Sequence, residues 1–144
     1  EKLGFTWNTT INGINPGNKD WNFHQFVPDF IVINLGTNDN SYVKKDEEKT
    51  EEFKSAYKAF LKQIRKNNPD ASIVCSLGMM GTDLCKAVEE VVEEYSAETG
   101  DNKVTSLRFS NQNMADGIAA DWHPSEKTHE KAALVLTSKI KRLL

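Results

Sequence analysis

Two short segments of this 144-residue sequence carry residue types suited to chemistry: Gly36-Thr37-Asn38-Asp39 and Asp121-Trp122-His123-Pro124. In the first, Gly36 permits a tight turn, and the Asn38 carboxamide can be aimed at a developing oxyanion. Such a donor, preorganised where water is scarce, is worth several kcal/mol to the transition state. The same residues also suit a plain strand-ending turn, where Gly, Asn and Asp are common choices. In the second segment, His123 is one of three histidines and the natural candidate for a general base. The competing reading is a turn leading into a helix, with Pro124 and Ser125 as its first residues. Metal binding is disfavoured, because His123 and His129 match no zinc spacing and no thiolate cluster lies near them.

Both segments need elements to hold them. Residues 29–35, Asp-Phe-Ile-Val-Ile-Asn-Leu, form an almost unbroken apolar run that predicts a parallel strand buried on both faces. Phe53, Tyr57, Phe60, Leu61 and Ile64 then recur at helical spacing, in a helix that begins in the charged run 44–52 and ends before Pro69. Residues 72–77 read as a second buried strand. Thr82 or Asp83 is the expected cap of a second helix carrying Leu84, Val88, Val91, Val92 and Tyr95, with Gly100 as its stop. A third, weaker strand spans 104–109. Ser125 is expected to cap a last helix whose Ala133, Leu136, Ile140 and Leu143 face inward.

Strand and helix alternating with short connections predict an α/β domain with a parallel sheet. Ligands in such sheets bind beyond the carboxyl ends of the strands, which puts Asn38 and His123 at one edge. Three strands are few for this architecture, so strands are expected to be missing at the front. Residues 1–25, with turn signals at Asn12-Gly13 and Pro16-Gly17, read as an irregular leading segment with a short helical turn near Trp21. Residues 26–144 read as the domain proper. Trp7 and Trp21 are expected to pack, Cys75 to be a small buried hydrophobe, and Cys75 and Cys85 to remain unbridged.

Composition narrows the function. Hydrophobic residues make up 38% and charged residues 27% of the chain, a globular balance. Mean hydropathy is -0.57, and no apolar run approaches the length of a bilayer span. Eighteen basic and 21 acidic residues leave a net charge of -3, which offers nothing to a nucleic-acid backbone. The chain begins at Glu1 without Met or a signal-peptide pattern, so a processed product or a piece of something longer is expected.

The run Val32-Ile33-Asn34-Leu35-Gly36-Thr37-Asn38-Asp39 resembles the third conserved block of the SGNH, or GDSL-type, hydrolases. Asp121-Trp122-His123-Pro124-Ser125 resembles their fifth block, and the wording of both is most similar to the carbohydrate esterase family 2 acetyl esterases. The resemblance covers residues 26–144. It implies a flavodoxin-like three-layer α/β/α sandwich, here truncated on its N-terminal side. It also implies a serine esterase acting on acetylated polysaccharides such as xylan, extracellular, with no metal or organic cofactor. Asn38 matches the oxyanion-hole asparagine, His123 the catalytic histidine, and Asp39 the supporting aspartate beside it. Trp122 and Gly36 then border the substrate, with Trp122 either stacking on a sugar or plugging the loop.

Two departures follow. No Gly-Asp-Ser nucleophile block occurs in the sequence, and the serine nearest the site, Ser41, has no nucleophile-elbow context. The chain alone is therefore expected to be inactive. Many of these hydrolases carry an aspartate three residues before the histidine, but position 120 is alanine. Asp121 and a backbone carbonyl at Trp122 remain rival orienters of the ring. A non-catalytic glycan-binding remnant on the same scaffold is the alternative function. An exposed edge of the first strand, covered by the leading residues or by a second copy in a homodimer, is the structural corollary.

Overall fold

The computed structural model describes residues 23–144. The turns expected near residues 12–18 and the packing expected of Trp7 and Trp21 lie outside the described residues. A short 3-10 turn, Phe23–Gln25, leads into strand β1, Phe30–Asn34.

Three parallel strands form the sheet: β1, then β2 at Ser72–Leu77, then β3 at Val104–Arg108, in the spatial order β1-β2-β3. Register pairs Ile31 with Ile73 and Ile73 with Val104, so alternate residues share one face. On that face Ile33, Ile73, Cys75, Leu77 and Val104 build the core with two helices, α2 at Glu47–Asn67 and α3 at Cys85–Thr99. β2 is central and almost wholly buried on both faces, and on the face away from the core the buried Ser76 hydroxyl is satisfied by donating to the Ile33 carbonyl at 3.1 Å. β1 and β3 are the edge strands among the described residues, and Val32 on the other face of β1 is 40% exposed.

The α2 stripe of Tyr57, Leu61 and Ile64 and the α3 stripe of Val88, Val91, Val92 and Tyr95 are buried as their spacing requires. Asp46 caps α2 by accepting from the Lys49 amide, and Gly100 ends α3 in the left-handed region. Where the two helices face each other at the rim, Lys54 bonds Glu90 and Glu94, and Lys58 bonds Glu94 and Glu98. Arg65 closes the α2–β2 turn by reaching Asp101 and the carbonyls of Asn68, Pro69 and Ala71. Cys75 and Cys85 are buried and unbridged, and burial pushes the Cys75 thiol up to about 11.

Four details depart from the sequence reading. β1, expected to be buried on both faces, fully buries only Ile33, because it lies at an edge of the described sheet and leaves Val32 and Leu35 exposed. A short helix α1, Asp39–Val43, follows β1; its five residues have too little periodicity to announce it. Helix α3 starts with Leu84 rather than Thr82 or Asp83 in the capping position. The Thr82 carbonyl accepts from the Cys85 amide, and the Asp83 carboxylate is engaged instead by the Asn40 side chain at 3.2 Å. The last helix, α4 at Glu126–Lys141, is capped by Ser125 as expected, but Ala133 is exposed and Leu136, Ile140 and Leu143 are only half-buried. No broad packing surface joins α4 to any described strand, so its apolar stripe finds little to bury against.

Candidate active site

Parallel strands bring all three carboxyl ends to one edge of the sheet, and each is followed by a loop that turns sharply. Gly36, after β1, has φ +130°, and a Cβ there would touch the Leu77 methyl groups at 3.0 Å. The turn closes with the Asn40 amide donating to the Gly36 carbonyl at 3.0 Å. Asn38 occupies the capping position of α1, yet its side chain makes no capping hydrogen bond. Its amide is exposed and uncommitted to the helix, as an oxyanion donor must be. Asp39 opens α1 and is likewise exposed.

The loop after β2 carries Gly78 at φ +138°, packed so closely that a Cβ would collide with the carbonyl group of Phe109. Met79 follows in the left-handed region at φ 68°. The loop after β3 reaches across to it, with the Gln112 amide donating to the Met79 carbonyl at 2.8 Å. Asn40 and Asp83 join the first loop to the second, so the three loops form one hydrogen-bonded ledge.

His123 sits at the far end of this ledge. Ala120–Trp122 make one 3-10 turn, in which Asp121 and Trp122 both adopt left-handed φ values of 52° and 61°. The His123 amide donates to the Ala120 carbonyl at 3.0 Å, and the Ala119 amide donates to the His123 carbonyl at 2.9 Å. Ring nitrogen Nδ1 lies 3.1 Å from the same Ala120 carbonyl. With Nδ1 carrying the proton toward that oxygen, Nε2 is left as the basic nitrogen. Of the two rivals for orienting the ring, a backbone carbonyl is the one in contact, but it belongs to Ala120 rather than to Trp122. The Trp122 carbonyl is taken by the Gln112 side chain at 2.7 Å, and the contact to Nδ1 comes from Ala120 rather than the Asp121 carboxylate.

Trp122 is 70% exposed beside His123, with Met80 and Met114 also open to solvent. Ser41 lies on α1, and among the described residues no serine hydroxyl bonds the His123 ring. No cluster of His, Cys, Asp or Glu among the described residues is arranged to hold a metal. A cavity of about 290 Å³, lined by Asn40 and Val43 of α1 with Lys45, Asp83 and Glu90, includes neither Asn38 nor His123. Beneath the histidine loop, Asp116 bonds Lys131 at 2.6 Å and its carbonyl accepts from Ser125, which ties the turn to α4. Lys131, with help from Asn113, holds the Asp116 carboxyl below its usual range.

Comparison with known proteins supplies relatives. Residues 1–131 match the GDSL-like lipase/acylhydrolase family. A cellulase/esterase, CelE, of Acetivibrio thermocellus is 43% identical over 129 residues, which are 86% of this chain and 15% of that protein. A family two carbohydrate esterase from Clostridium thermocellum, solved in complex with cellohexaose, is 44% identical with a TM-score of 0.76, covering 85% of this chain and 38% of that one. An acetyl xylan esterase, Est2A, from Butyrivibrio proteoclasticus superposes with a TM-score of 0.80 at 29% identity, over 86% of this chain and 39% of that one. The chain thus spans well under half the length of each.

Proposed function

Because this chain belongs to the GDSL-like lipase/acylhydrolase family, we propose that it supplies the base and an oxyanion donor of a serine esterase that deacetylates plant polysaccharides such as xylan. The observation that carries this reading is two polar side chains, on loops of one hydrogen-bonded ledge, that the described residues leave available. Asn38 has no helix-capping bond, and His123 is held through Nδ1, with Nε2 unengaged by any described residue. His123 Nε2 takes the proton from a serine hydroxyl as its oxygen attacks the acetyl carbonyl. Asn38 donates to the oxyanion of the tetrahedral intermediate. The intermediate collapses as His123 returns the proton to the departing sugar oxygen, leaving an acetyl-serine that water then cleaves by the reverse path.

The serine is assigned to a Gly-Asp-Ser block outside these 144 residues, so this chain by itself does not turn over. Asp39 supports the Asn38 loop, and residues 26–144 act as the C-terminal part of the domain. Relatives that act on xylan or were solved with cellohexaose support a polysaccharide partner, and a wall polymer of that kind calls for secretion. The test is acetate release from acetylated xylan by the longer gene product. Activity lost on His123→Ala and retained on Asp121→Asn is the expected result. Full activity in His123→Ala would remove the proposal. Exposure of Trp122 keeps a second reading open, in which the ledge holds a glycan without cleaving it. Glycan binding by the longer product without acetate release would favour that reading.

A further inference from the structure

Gln112 ties together two loops that each carry a left-handed residue, the loop after β2 and the one that ends at His123. Its backbone amide donates to the carbonyl of Met79, a residue at φ 68°, and its side-chain Nε2 donates to the carbonyl of Trp122, at φ 61°. The orientation of the carboxamide follows from chemistry, since a carbonyl oxygen can accept only from the N–H end. The other end, Oε1, is buried without a hydrogen-bond partner. The amide thus makes one hydrogen bond and orphans one buried oxygen, opposing contributions of similar size that leave little net gain in stability.

The consequence of the Nε2 bond falls on the next residue. The Trp122 carbonyl belongs to the peptide group whose nitrogen is that of His123. That peptide is pinned at both ends, its oxygen by Gln112 at 2.7 Å and its N–H by the Ala120 carbonyl at 3.0 Å. Pinning that plane, with the His123 carbonyl held in turn by the Ala119 amide at 2.9 Å, sets the His123 backbone and with it the Cα–Cβ direction, and the ring then meets the Ala120 oxygen through Nδ1 at 3.1 Å. One carbonyl receives both backbone and ring of the same histidine, which works only while the left-handed turn at Asp121 and Trp122 persists. Non-glycine residues leave that conformation readily unless their surroundings hold them in it.

We propose that Gln112 is the positioning residue of His123: its amide clamps the Trp122 carbonyl and thereby sets the ring tautomer that leaves Nε2 basic. This rests on the reading of His123 as the base, but its first test does not use activity. In the 144-residue chain, long-range proton–nitrogen NMR of the neutral His123 ring reports which nitrogen carries the proton. The parent should show the proton on Nδ1. Gln112→Leu should show a mixture of both tautomers while the amide spectrum of the sheet is retained. Gln112→Glu keeps the shape and the backbone bond to Met79 but has no N–H to offer when ionised, so it should behave like Gln112→Leu. A parent-like tautomer in a folded Gln112→Glu chain overturns the proposal, whatever Gln112→Leu does. In the longer gene product, either variant should lower kcat about 10- to 100-fold with KM little changed. Unchanged kcat also overturns it. If instead His123→Ala stays active while the tautomer still follows Gln112, the base assignment fails and the clamp stands.

Discussion

At the scale of residues, Asn38 allows function to be separated from folding. It stands where a helix cap stands, and Asn→Ala at a working cap costs about 1 kcal/mol. Here the side chain makes no capping bond. Asn38→Ala should therefore leave the urea midpoint of the 144-residue chain almost unchanged, while lowering kcat of the longer product about 10²- to 10³-fold. A clear stability loss with kcat intact would make Asn38 a cap and nothing more. Asn38 and His123 could be nominated from the sequence because residue type announces chemistry and each motif follows or precedes a recognisable element. The Ala120 carbonyl was not, since every residue has a carbonyl and only the left-handed turn at Asp121 and Trp122 aims this one. Gln112 gave no signal either, as its role depends on where Met79 and Trp122 come to lie.

At the scale of elements, the ledge depends on close approach between the loops after β2 and β3. Gly78 and Gly100 both have positive φ, but a Cβ on Gly78 would lie 2.8 Å from the Phe109 carbonyl carbon, whereas Gly100 has open space. Gly100→Ala should cost about 1 kcal/mol for handedness alone. Gly78→Ala should cost clearly more, as paired urea melts would show. Equal losses would mean the Gly78–Phe109 contact yields easily. The α2–α3 ladder gives a pH prediction. Bonds from Glu90 and Glu94 hold the Lys54 ammonium protonated beyond the ordinary lysine range, and Lys54 holds Glu90 ionised below the ordinary carboxylate range. A raised lysine stabilises the fold below its unfolded-state pKa and loses this as pH climbs through the folded value. A lowered carboxylate stabilises above its unfolded-state pKa and loses this as pH falls through the folded value. Stability should thus be flat across neutral pH and fall at both extremes, and Lys54→Met should lower the plateau and shallow the acid limb in urea melts taken against pH. β2 and the α2 and α3 stripes were readable because burial on one or two faces imposes its period on the sequence. The start of α3 was not, because Asp83 is drawn to Asn40, distant in sequence.

At the scale of the molecule, the described sheet is open at both edges, β1 and β3. Among the described residues β1 has no neighbour beyond it, Val32 is 40% exposed, and Leu134 and Val135 of α4 are 70% and 45% exposed. An unpaired strand edge beside apolar surface is a template for association. Sedimentation of the 144-residue chain should show concentration-dependent self-association, and Val32→Lys should reduce it. A monomer at every concentration would contradict this. The parallel order was legible from alternation of strand and helix, but the loose seating of α4 was not. An amphipathic stripe shows that a helix has a face to bury, not whether its counterpart is present. That same openness bears on the central claim, a serine–histidine esterase whose base lies here and whose nucleophile lies elsewhere. The most direct measurement is intact mass after treatment with a serine-directed fluorophosphonate, on this chain and on the longer gene product. A single adduct on the longer product, absent from this chain and lost on His123→Ala, is the predicted result. An adduct on this chain, at Ser41 or any other of its serines, would contradict the account.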